Sequence, residues 1–64
     1  MNKYHKKIQD YIMQRPGQYV YIDDVRIDLL APRKPHLTNF DRAYQDLIAC
    51  GRLEIRGNQI RINQ

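Results

Sequence analysis

The stretch Leu53-Glu54-Ile55-Arg56-Gly57-Asn58-Gln59-Ile60-Arg61-Ile62 reads as two short strands folded about a Gly-Asn turn. Apolar and polar residues alternate on both sides of a two-residue loop, the pattern of a hairpin with one buried face. Folding at Gly57-Asn58 sets Ile55 against Ile60 and Leu53 against Ile62 on one side. On the other side Glu54 meets Arg61, a favourable cross-strand charge pair. A slip of one residue would lose all three matches, so the register is strongly specified. A lone hairpin is not stable in water, so its Leu/Ile face must close over something else in the chain.

Upstream, three helical patterns supply that partner. From Asn2 to about Gln14, Tyr4, Ile8, Tyr11 and Ile12 share one helical face, with Lys3, Lys6, Lys7 and Asp10 on the other. Arg15-Pro16-Gly17 ends that helix, because proline cannot continue it and glycine suits a left-handed turn. Tyr19–Ile22 alternates as a very short strand, with Val20 and Ile22 inward, and is placed to add a third strand to the hairpin. A second helix follows near Ile22 to Ala31, with Ile22, Val25 and Leu29 on its buried stripe. Asp23 and Asp24 complement the dipole of its first turn, although Tyr21 is a poor N-cap. The prolines of Ala31-Pro32-Arg33-Lys34-Pro35-His36 exclude regular structure there. Thr38-Asn39-Phe40-Asp41 then has the spacing of a capping box, with Asp in place of Glu or Gln. It opens a third helix that runs to Cys50, with Phe40, Ala43, Tyr44, Leu47 and Ile48 inward and Gly51 as its C-terminal cap.

The order helix, strand, helix, helix, hairpin resembles the winged helix-turn-helix superfamily over nearly the whole chain. The resemblance rests on the Val25/Leu29 stripe, the Thr38–Gly51 helix with its cap, and the Leu53–Ile62 wing. It implies an α+β fold and one domain over residues 1–64. It says less about function, since the superfamily includes DNA binders, RNA binders and protein adaptors.

Composition narrows the choice. The chain has 64 residues and a formal net charge of +4, which tilts toward a polyanionic partner. Its single cysteine, Cys50, has no second thiol for a disulfide and no histidine at zinc-ligand spacing, so neither metal nor cofactor is expected. Cys50 reads as a small hydrophobe beside the core, and His5 as a packed or half-exposed residue at the edge of the first helix's apolar face. No apolar run is long enough for a bilayer span or a signal-peptide core, and the expected compartment is the cytoplasm. An enzyme is not expected. There is no phosphate-binding glycine loop and no nucleophile elbow, and Asp23 and Asp24 point about a hundred degrees apart on a helix.

In the superfamily the third helix usually enters the major groove, and the wing touches backbone. Here the outward stripe of that helix is Arg42, Gln45 and Ala49, flanked by Asn39 and Asp46. Arg and Gln pair bidentately with guanine and adenine edges, which makes Asn39, Arg42 and Gln45 the candidates for base contact. Arg33 and Lys34 before the helix, Arg52 at the base of the wing, and Arg56 and Arg61 on its outer face are the phosphate candidates. The expected partner is therefore double-stranded DNA, and the expected role is that of a transcriptional regulator or accessory DNA-binding factor. Three features argue the other way: Asp23, Asp24 and Asp28 on the second helix, a wing tip without a basic residue, and a long connection between the second and third helices. Tyr19, Tyr21 and Ile27 point away from the predicted core and are candidates for an interface, in a homodimer or with a larger protein. An adaptor on the same scaffold is the competing expectation.

Overall fold

Asn2 starts the first helix by a capping box built with an unusual partner. Its side-chain oxygen accepts the Tyr4 N–H at 2.9 Å, while its own N–H donates to His5 Nδ1 at 3.1 Å. Histidine thus fills the place that Glu or Gln normally takes. The helix α1 (Lys3–Met13) buries Tyr4, His5, Ile8 and Ile12 and leaves Tyr11 partly covered. It stops before Arg15-Pro16-Gly17, where Gly17 adopts φ 75°. The computed structural model describes residues 2–30 and 37–63.

The remaining elements are β1 (Val20–Tyr21), α2 (Ile22–Leu30), α3 (Leu37–Ala49), β2 (Leu53–Arg56) and β3 (Gln59–Ile62). The architecture is α+β, three helices with a short strand and a C-terminal antiparallel hairpin, consistent with a winged helix-turn-helix. The hairpin has the register that its alternation predicts: Leu53 opposite Ile62, Glu54 opposite Arg61 and Ile55 opposite Ile60. Gly57 stands at φ 62° in the two-residue turn, where no non-glycine residue has positive φ. Glycine at the first central position with positive φ is the mark of a II′ turn, whose twist matches that of the flanking strands. β1 pairs with β3, setting Val20 against Ile60, so the sheet order is β1-β3-β2.

The core is one cluster. Ile8, Val25, Phe40, Ala43 and Ile60 are fully buried within it, and Tyr4 meets Phe40 edge-on with ring centroids 6.0 Å apart. The sheet joins the helices through Ile60 of the central strand and Leu53 of β2, with Val20 and Ile62 packed against the same cluster.

Several expectations need correction. β1 is only two residues long, because Ile22 already belongs to α2. The missing N-cap of α2 is compensated from a distance, as the Ile22 N–H donates to the Asn58 carbonyl of the wing turn at 2.9 Å. Leu30 is buried and Leu29 only partly so, since α2 packs against α1, α3 and β1 at once and covers a wide arc. α3 begins at Leu37, which puts Thr38 inside the helix rather than at its cap, and Asp41 turns to Arg26 instead of closing a capping box. Its cap position, like the rest of the 31–36 break, lies outside the described residues. At the other end, Arg52 N–H bonds Leu47 O and Gly51 N–H bonds Ile48 O, a Schellman closure with Gly51 at φ 79°. Cys50 is exposed rather than core, its thiol donating to Leu47 O at 3.5 Å. Ile55 is 45% exposed although it faces inward, because it sits on the edge strand while its partner Ile60 holds the centre.

Candidate nucleic-acid interface

The outward face of α3 is set by helical spacing. Thr38, Arg42, Gln45 and Ala49 are all exposed and recur at intervals of four, three and four, opposite the buried Phe40, Ala43 and Leu47. The two carboxylates of α3 lie on its flanks and are drawn to neighbouring helices. Asp46 accepts from His5 Nε2 at 2.9 Å on the α1 side. Asp41 accepts from Arg26 Nη2 at 3.2 Å on the α2 side, and Arg26 also holds Asp23 at 3.0 Å. The Arg26 guanidinium stands 5.5 Å from the centre of the Phe40 ring, a cation–π contact that fixes its position between α2 and α3. What remains on the face is Arg42, whose charge has no partner among the described residues. Asn39 is exposed on the α1 flank, and its carbonyl accepts from the Asn2 side chain at 2.9 Å.

The wing arginines differ from each other. Arg61 is ion-paired with Glu54 across the strands and lies 4.7 Å over the Tyr19 ring. The hydrogen bond from Arg61 holds the Glu54 carboxyl below its ordinary value of 4.5 against the opposing effect of desolvation; the Arg61 charge, the Tyr19 hydroxyl and Arg56 add to the lowering. Arg56 stacks on the same ring at 5.6 Å but makes no ion pair among the described residues. Arg56 is therefore the wing charge best able to meet a phosphate.

Other sequence candidates are dispersed. Arg52 is exposed, yet it borders the groove between α1 and the end of α3, with His5, Gln9, Asp46 and Cys50. Arg33 and Lys34 lie outside the described residues. Tyr19 is half-buried beneath the two wing arginines, whereas Tyr21 is 50% and Ile27 62% exposed. Ile27 stands among the exposed Asp23, Asp24 and Asp28.

Sequence reasoning missed the roles of Thr38, Arg26 and His5. Thr38 joins the exposed face because α3 starts earlier than its capping pattern suggests. His5 had a signal in the Asn2-x-x-His5 spacing, which is that of a capping box. Arg26 had none, since its partners Asp41 and Phe40 belong to another helix.

Among the described residues, no three His, Cys, Asp or Glu side chains gather as metal ligands, and no helix is long and apolar enough to cross a membrane. No protein-family model, curated protein or solved structure matches the chain.

Proposed function

We propose that this domain binds double-stranded DNA, with α3 in the major groove and the wing against the backbone, as a small transcriptional regulator or accessory DNA-binding factor in the cytoplasm. The observation that carries the reading is the disposition of charge on α3. Both of its carboxylates are bonded to neighbouring helices, so the outward face offers Thr38, Arg42, Gln45 and a small Ala49, with the one positive charge of Arg42 unpaired among the described residues. Arg42 and Gln45 supply the donors that base edges require, and Ala49 lets the helix approach closely. Arg56 supplies a phosphate contact from the wing.

Fluorescence anisotropy with a labelled random duplex tests this over a range of salt concentrations. Affinity is expected to fall log-linearly with salt, because each neutralised phosphate releases condensed counterions. Absence of duplex binding even at low salt removes the reading. A second reading, a protein adaptor, is favoured by one observation: Ile27 is highly exposed at the centre of an acidic helix face. Negative charge there disfavours contact with phosphate and suits a protein partner.

A further inference from the structure

We propose that the free edge of β2 pairs with the same edge of a second copy of this chain, continuing the sheet across a two-fold axis at Ile55. β2 is an outer strand, since the sheet order is β1-β3-β2. The hairpin bonding decides which of its backbone groups face outward. Asn63 N–H donates to the Arg52 carbonyl at 2.9 Å, and bonded pairs alternate along an antiparallel ladder. Glu54 and Arg56 therefore bond to Arg61 and Gln59 on β3, while the N–H and C=O of Leu53 and Ile55 point away from it. Among the described residues nothing hydrogen-bonds to these outward groups. Folded proteins often blunt such an edge with a proline or an inward-pointing charge. β2 has neither: its inward side chains are Leu53 and Ile55, and Ile55 is exposed.

The charges of β2 select both the register and the occupant. When two identical strands pair antiparallel about a two-fold axis, the residue on the axis faces its own copy, and opposite residues share a face. An axis at Glu54 sets glutamate against glutamate, and an axis at Arg56 sets arginine against arginine. An axis at Leu53 puts Ile55 opposite Gly51, which is the left-handed cap of α3 at φ 79° and not extended chain. An axis at Ile55 sets Ile55 against Ile55 on the inner face and Glu54 against Arg56 of the other copy on the outer face. That ion pair forms twice, and the two Ile55 residues exchange their outward backbone bonds at the axis. Both charges are available for it. Arg56 makes no ion pair among the described residues, and Arg61 reaches Glu54 through Nε at one oxygen, which leaves the carboxylate room for a further donor. Arg56 is the side chain shared with the proposed wing contact to phosphate, so the test is made without DNA.

Sedimentation equilibrium and amide hydrogen exchange of the full chain test it. A four-residue strand makes a small contact, so the wild type is expected to dimerise toward millimolar concentration, with exchange of the Ile55 amide slowing as the dimer forms. Arg56→Glu, folded by circular dichroism, should weaken dimerisation roughly tenfold, because it turns both cross-strand pairs into like-charged ones. An equimolar mixture of Arg56→Glu and Glu54→Arg should recover a heterodimer, since both pairs are then opposite in sign. Ile55→Pro removes an outward N–H and leaves the hairpin bonds in place, so it should give a folded monomer. A wild type that stays monomeric at millimolar concentration overturns the proposal. So does a dimer that is indifferent to Arg56→Glu, or one in which the Ile55 amide exchanges as fast as in the monomer. None of these outcomes bears on duplex binding by the monomer.

Discussion

His5 Nε2 lies 2.9 Å from a carboxylate oxygen of Asp46, tying the buried histidine of α1 to the flank of α3. A carboxylate oxygen can only accept, so Nε2–H is the donor to Asp46, while Nδ1 lies within hydrogen-bond distance of the Asn2 backbone. One imidazole therefore caps its own helix and orients the neighbouring one. The His5 side chain is 6% exposed, whereas that of Asp46 is 59% exposed at the rim of the groove. Asp46→Ala is expected to cost about 1–3 kcal/mol by leaving a buried donor unpaired. Asp46→Asn keeps an acceptor and should cost less. Thermal midpoints of the two variants check this, and equal midpoints for Asp46→Ala and wild type would show that the bond contributes nothing to stability.

Leu47 is 2% exposed at the centre of the apolar face of α3. Leu47→Ala should destabilise by roughly 2–5 kcal/mol, a transfer loss plus the cavity left behind. That is a large part of the stability of so small a domain. Chemical denaturation should show a lower midpoint at an unchanged slope.

The wing arginines should separate in a binding assay. Arg56 makes no ion pair among the described residues, so Arg56→Ala should weaken binding to all duplexes alike and reduce the salt slope by about one. Arg61 is already held by Glu54 and Tyr19, so Arg61→Ala should change stability more than salt slope. Arg42→Ala should cost about 1–3 kcal/mol on a preferred site and little on random sequence. Equal effects of Arg56→Ala and Arg61→Ala would mean that the Glu54 pair opens when DNA binds.

The Glu54–Arg61 pair should also appear in the acid limb of stability. The folded carboxyl titrates below its ordinary value of 4.5, chiefly through the Arg61 hydrogen bond. A group depressed on folding contributes stability that is present above its unfolded pKa and is lost as pH falls through the folded one. Stability should therefore decline as pH drops below about 4.5. In Glu54→Gln that portion of the decline should be missing, while the alkaline side is unchanged. Denaturant midpoints measured across this range are the check.

The hairpin was legible because everything that specifies it is local. Alternation places Leu53, Ile55, Ile60 and Ile62 on one face, and the glycine at 57 permits a positive φ that other residues resist. Helical periodicity likewise brought out the faces of α1 and α3, including Arg42 and Gln45. Local patterns were less reliable at element ends, where Thr38 offered a capping box that the chain does not use.

What tertiary structure alone decided is where the charges of those faces are spent. Asp46 finds His5 across 41 positions of chain, and Asp41 finds Arg26 across 15. The first N–H of α2 is satisfied by Asn58, and Tyr19 is covered by Arg56 and Arg61 from the wing. Periodicity reports which way a side chain points but not what the neighbouring element presents to it. Whether a surface charge is spent within the fold or left for a partner depends on that second element, and it is known only once the helices and sheet have packed.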